Sequence, residues 1–316
     1  MNGNIFHYFT RVTEERSKEE SKPWLTWIVL GIFLIIFVGL KIESDPYDLK
    51  TLSKWGYLSS IDIWNGGYWA LITSVFVHIE EWHLMGNFLW MFILGGSIEL
   101  EIGKLRWLIF FFFAALVSSG MQLAFSGNSG LGASGVIYAM FGFMWVTRNH
   151  YSKFKTVLNN STIYLFVIWL IGSIVATFAG LANIGNAAHV SGLFFGVGIG
   201  MYCIFNNRRS IIITALALMM MASVVSLFWS PWSVAWVSKQ AYDALSTRDY
   251  KAAIPLYRRS LEMGQDPGWV WQSLAVAYWE LGDSRAYEEA INNLRKINEK
   301  QAIELDKTIR NSEQEK

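Results

Sequence analysis

A serine, two histidines and an asparagine stand out because of where they lie. Ser134 sits in Gly-Leu-Gly-Ala-Ser-Gly at 130–135 and His189 in Ala-Ala-His-Val-Ser-Gly at 187–192, each at the start of an apolar stretch of helix length; His83 and Asn87 open a third. Ionisable or strongly polar side chains are costly inside a bilayer, so those found there are functional candidates. Their types suit acyl transfer. A serine hydroxyl is a weak nucleophile that needs a nearby base, and His189 can serve as one. His83 and Asn87 are four apart and share a helix face. Both can donate hydrogen bonds to an oxyanion, often the largest catalytic effect. No Asp or Glu falls in the first turns of these segments to orient His189, so a Ser–His dyad is simpler than a triad. Tyr138, one turn after Ser134, could pack on the imidazole and hold it.

Membrane spans must position these groups. The chain has 316 residues, 53% hydrophobic and 16% charged, against about 25% charged in ordinary soluble domains. A net charge of +1 gives no electrostatic case for nucleic acid as a partner. The single cysteine, Cys203, excludes an internal disulfide. Seven apolar segments are long enough to cross a hydrocarbon core: 24–40, 82–98, 105–125, 131–147, 162–182, 187–205 and 211–229. The second, fourth and sixth carry more Gly and polar residues, which predicts an inner set packed by protein and an outer set facing lipid. A charged stretch of more than twenty residues precedes the first segment and no small-residue cleavage site follows it, so it is not read as a signal peptide.

Loop charge orients the spans. One side collects Arg11, Arg16, Lys18 and Lys22, then Lys104 and Arg106, then Arg148, Lys153 and Lys155, then Arg208 and Arg209. The opposite turns, 126–130 and 183–186, are nearly uncharged, and acids outnumber the lysines of loop 41–81. The expectation is a multi-pass protein of a bacterial cell membrane, with a cytosolic N-terminus and an external C-terminus. Spans two, four and six then enter from outside, which puts His83, Asn87, Ser134 and His189 at one shallow depth. Gly192 and Gly196, followed by Gly198 and Gly200, form a small-residue face that lets helices approach closely in lipid and would bring span six to span four. His78, His83 and His189 offer imidazoles to a metal, but no His-Glu-x-x-His pattern or acidic ligand accompanies them. The reading therefore assigns no metal and no cofactor.

Taken together, these residues resemble the rhomboid family of intramembrane serine proteases. The likeness covers residues 24–205 and rests on His83-Leu-Met-Gly-Asn87, on Gly132-Ala-Ser134-Gly135 with Tyr138, and on Ala188-His189-x-x-Gly192-x-x-x-Gly196, with Glu99 and Gly103 after span two. The resemblance implies an all-α polytopic fold with a six-helix core plus a seventh transmembrane helix. It implies Ser134 as nucleophile, His189 as base, and Asn87, His83 and the Ser134 amide as the oxyanion site. Gln122, with Ser118, resembles positions that hold water near the serine. The substrates implied are transmembrane segments of other proteins, cut near the outer surface, with membrane lipid as the surroundings. One departure concerns the first loop: the family often carries Trp-Arg, where this chain reads Gly67-Tyr68-Trp69-Ala70.

The ends differ from the middle. Residues 1–23 carry mixed charge and form a short cytosolic segment; 24–230 make the membrane domain. Residues 238–316 are polar and read as helical between breakers at 264–268 and Gly282. Ala241-Tyr242 recurs as Ala277-Tyr278, and Tyr250-x-x-Ala253-Ile254 as Tyr287-x-x-Ala290-Ile291, a period of about 36–37 residues, near the ~34 of tetratricopeptide helix pairs. The alternative for this region is a generic helical stack. A small soluble helical-repeat region could recruit substrate or bind a protein partner. Two other functions compete with a protease: a non-proteolytic binding or quality-control protein on the same fold, and a transporter using its histidines as a proton relay. The intact Ser134 and His189 argue against the first, and the clustering of polar groups at one depth argues against the second.

Overall fold

The computed structural model describes residues 22–314, and the described chain is helical with no strand. The short N-terminal segment expected at 1–23, with its first three basic residues, lies outside the described residues up to position 21. In chain order the helices are α1 (Trp24–Ile42), three short loop helices α2 (Leu49–Lys54), α3 (Ser60–Trp64) and α4 (Ala70–Thr73), then α5 (Glu81–Trp90), α6 (Gly96–Ile102), α7 (Lys104–Ser126) and α8 (Ser134–Thr147). They continue with α9 (Ser152–Val157), α10 (Asn160–Phe178), α11 (Asn186–Ile204) and α12 (Arg209–Val225). The tail adds α13 (Val234–Ser246), α14 (Tyr250–Glu262), α15 (Pro267–Glu280), α16 (Ser284–Ile297) and α17 (Glu299–Gln314).

Five helices are long and apolar enough to cross a bilayer: α1, α7, α10, α11, and α12 extended back to Asn206. The other two expected spans are built differently. The second runs from α5 to α6 through a π-helical turn at Met91–Gly95. The fourth is α8, which begins at Ser134 rather than residue 131 and has only 14 residues. Gly130 and Gly132 hold φ of +73° and +86°, opposite in sign to a right-handed helix, so the helix starts only after Gly132.

Buried polar groups fix the frame. Pro23 offers no side-chain cap to α1. The Glu99 carboxylate supplies it from α6, accepting from the Leu25 amide at 3.0 Å, the Thr26 amide at 2.7 Å and the Thr26 hydroxyl at 2.8 Å. A carboxylate at a helix N-terminus satisfies otherwise unpaired amides. Gly103, at φ +86°, breaks α6 from α7.

One expectation is corrected. The third span was placed in the outer, lipid-facing set, yet α7 is the most buried of the five long apolar helices. Ala114, Ala115, Ser118 and Ser119 give it a buried small-residue face, and on its other side a Cβ on Gly120 would press on Ser223 of α12 at 2.9 Å. Small residues admit close helix neighbours in lipid, so α7 sits against α8, α11 and α12.

The tail forms its own core around Tyr257, Leu274, Tyr278, Tyr287 and Ile291. Its helix pairs start at Val234 and Pro267, and at Tyr250 and Ser284, offsets of 33 and 34 residues rather than 36–37. Asp249 and Asp283 cap the second helix of each pair through the amides of Ala252 and Ala286. The sequence match aligned Tyr250 with Tyr287, one helical turn off the caps. A fifth helix, α17, buries Ala302 and Ile309, and its Asp306 accepts from Tyr287 Oη at 2.6 Å. The tail's first turn packs on the membrane region, where the Trp236 and Trp64 rings meet edge to face at 5.1 Å; Trp64 is itself held by Nε1 donating to Ser226 O at 3.0 Å, and in the connecting segment Trp232 Nε1 donates to Ala124 O at 2.9 Å.

Candidate active site

α8 and α11 cross with their backbones in near contact. A Cβ on Gly192 would overlap the Gly135 carbonyl, and one on Gly196 would overlap that of Ala139. Any larger residue would hold the helices apart. This approach sets Ser134, the first residue of α8, beside His189 in the first turn of α11, with Ser134 Oγ and His189 Nε2 2.8 Å apart. His189 is 4% exposed.

For the hydroxyl to donate to Nε2, the neutral imidazole must carry its proton on Nδ1. That Nδ1 is buried and has no hydrogen-bond partner among the described residues, so no carboxylate among them orients the ring. Tyr138 lies over it instead, ring centroids 4.8 Å apart. The phenol is itself anchored, donating to Phe166 O of α10 at 3.1 Å. Ring orientation therefore comes from packing.

Donors converge from two elements. The first intrahelical bond of α8 runs from Ile137 N to Ala133 O, which leaves the amides of Ser134, Gly135 and Val136 ahead of the ladder. On α5, Asn87 is buried and donates one Nδ2 hydrogen to His83 O at 3.0 Å; an amide nitrogen has a second. The His83 ring lies against Gly132, where a Cβ would come within 2.6 Å. That glycine therefore serves both the φ of the turn and the fit of the ring. Behind it, His78 is fully buried, 5.2 Å from His83 ring to ring. Gln122 Oε1 on α7 accepts from the Ala188 amide at 3.0 Å, fixing the start of α11 one residue before His189.

A cavity of about 570 Å³ takes in Ser134, His189, His83, Asn87, Tyr138 and Gln122, with Ser118 beside them. Gly192 lies at the helix crossing and does not line it. Among the described residues no group of three His, Cys, Asp or Glu is arranged to hold a metal; the His78 ring lies 3.2 Å through Nδ1 from Phe76 O. Sequence reasoning missed several lining or supporting residues. Trp90, Leu165, Phe166 and Trp169 form an apolar wall, and single aromatic residues in apolar helices carry no signal of their own. Asn186 bonds Ser173 and Thr177 of α10 at 2.8 Å each; its polarity at the mouth of an apolar segment was the available clue. Glu80 also lines the cavity but lies in a loop where acids are ordinary.

A family model described as Rhomboid domain matches residues 65–206. Rhomboid protease GlpG of Salmonella paratyphi A and of Salmonella typhi are each 26% identical over 192 residues, covering 61% of this chain and 67% of theirs. Together with an all-helical architecture and several helices of membrane length, the Rhomboid domain match and the rhomboid protease relatives support a rhomboid-type serine protease.

Proposed function

We propose that this chain is an intramembrane endopeptidase that cuts transmembrane segments of other membrane proteins near the outer surface, with Ser134 and His189 as a catalytic dyad. The observation that carries the reading is the 2.8 Å pairing of Ser134 Oγ with His189 Nε2 inside a cavity. Ser134 Oγ attacks the scissile carbonyl carbon while His189 Nε2 takes its proton. The tetrahedral oxyanion is met by the Ser134 amide, the second hydrogen of Asn87 Nδ2 and a ring N–H of His83. His189 then returns the proton to the leaving amine, and the C–N bond breaks. Water, activated by the same imidazole, attacks the acyl-serine to release the new carboxyl end. Gln122 and Ser118 hold that water, and no cofactor enters the scheme.

Depth supports the site of cutting. A 14-residue α8 is about 21 Å long, against a hydrocarbon core of about 30 Å. With Arg148, Lys153 and Lys155 marking the cytosolic boundary, Ser134 lies roughly 10 Å below the outer one. The cell membrane of a bacterium, a cytosolic N-terminus, a crossing α12 and an external tetratricopeptide-like tail complete the proposal. Lipid surrounds the membrane domain, and the tail contacts substrate or a protein partner.

The test is cleavage of a model transmembrane substrate by the purified full chain. Ser134→Ala and His189→Ala are each expected to abolish cleavage with accumulation unchanged, and a fluorophosphonate probe should label the parent chain but not Ser134→Ala. Chelators should have no effect. Full activity in either variant would overturn the dyad, and a parent chain that neither cleaves nor takes the probe would favour the non-proteolytic reading of the fold.

A further inference from the structure

Within the cavity, one lining residue carries a formal charge among Asp, Glu, Lys and Arg: Glu80. It stands three residues before His83, just ahead of α5, and is half-buried. Its Oε1 accepts from Tyr47 Oη at 2.7 Å. That phenol fixes the carboxylate in place without neutralising it.

The neighbouring acids are treated differently. Glu81 meets Lys41 Nζ at 2.7 Å, and Glu43 meets Lys54 Nζ at 3.6 Å. Glu80 forms no ion pair with any described residue; Lys41, which feels its field, bonds to Glu81 instead. A capping role does not account for it either. The side chain makes no hydrogen bond to the amides of α5, and Glu81 already supplies an acid to the first turn. Glu80 is thus an anchored negative charge without an ion pair among the described residues, at a mostly apolar cavity and three residues before the histidine placed at the oxyanion.

We infer that Glu80 is a specificity-determining residue: it favours substrates with a Lys or Arg close to the scissile bond and disfavours Asp or Glu there. This rests on the reading of the cavity as the active site. Where water is partly excluded, a fixed carboxylate acts more strongly on a nearby charge than at an open surface, and like charges placed together select against a wrong partner.

The test uses the full chain and a neutral transmembrane substrate in which each of the four positions on either side of the cleavage site is changed in turn to Lys, Gln or Glu. The readout is the ratio of kcat/KM for Lys over Glu, which is internal to each enzyme variant. At one position the parent chain should show a ratio on the order of tenfold. It should fall toward one in Glu80→Gln, invert in Glu80→Lys and persist in Glu81→Gln. Raising salt from about 0.1 to about 1 M shortens the screening length from ~10 to ~3 Å and should shrink the ratio in the unmodified chain, so the test survives poor folding of a variant. A flat ratio at every position in the parent chain, or a ratio kept in Glu80→Gln, overturns the role of Glu80 while Ser134-dependent cleavage still stands. Absence of Ser134-dependent cleavage of the neutral substrate overturns the active-site reading, and the role of Glu80 with it.

Discussion

Asn87 has two amide hydrogens, and one is already committed to His83 O. In the proposed scheme the other forms its bond only as negative charge grows on the carbonyl oxygen, so the bond is stronger in the transition state than in the bound substrate. Interactions of that kind act on kcat more than on KM. Asn87→Ala should lower kcat on the order of tenfold to a thousandfold with KM little changed, read from steady-state cleavage of a model substrate. An unchanged rate in the double variant His83→Ala, Asn87→Ala would place oxyanion stabilisation elsewhere. These residues were legible because polar and ionisable side chains are conspicuous in apolar runs. Glu80 was not, because an acid in a polar loop is unremarkable until the fold turns it toward the cavity. The Asn186 network was equally hidden: its partners Ser173 and Thr177 belong to another span, and spacing along the chain does not reveal which helices become neighbours.

Helices meet where side chains are absent, and the crossing of α8 with α11 shows how sharply. A methyl group on Gly196 would occupy the position of the Ala139 carbonyl oxygen, and neither backbone can yield locally. Gly196→Ala should push the helices apart, cost about 1–3 kcal/mol as overpacked sites do, and lengthen the distance from Ser134 to His189. Gly172→Ala on α10 is the control, since a Cβ there meets nothing within 4 Å; it should be neutral or slightly stabilising. Thermal unfolding in detergent, read alongside cleavage, separates the two. Equal melting temperatures and equal activities would show that the crossing tolerates the methyl. The glycine spacing made this contact readable in the sequence. The burial of α7 was less so. Hydropathy grades a segment by its mean polarity, so the small residues of α7, Ala114, Ala115, Ser118 and Ser119 on one side and Gly120 on the other, are outweighed by its Phe and Leu. The π turn at Met91–Gly95 leaves no mark in composition, and the late start of α8 depends on the φ values of Gly130 and Gly132.

The tail is fastened to the membrane region close to the candidate site. Ala235 of α13 lies where a Cβ on Gly127 would fall, at 2.7 Å, and Gly127 begins the loop that leads to Ser134. Trp236 packs on Trp64 of the long first loop. Both contacts put the start of the tail beside the loops that carry the cavity, where an external module could meet the outer part of a substrate. In the proposed orientation, with a positive cytosolic face and seven crossings, that module lies outside the cell. Removing residues 238–316 should leave Ser134 reactive to a small serine probe, because the cavity holds no residue of the tail, while cleavage of at least some natural substrates changes. Orientation is tested separately. Ser238 is buried and accepts from Gln265, so the reporter belongs at exposed Ser246. In a chain carrying Cys203→Ser and Ser246→Cys, an impermeant thiol reagent should label intact cells or spheroplasts. Labelling confined to lysed cells would put the tail in the cytosol, leave α12 without a crossing, and remove the tail from any encounter with substrate at the outer surface.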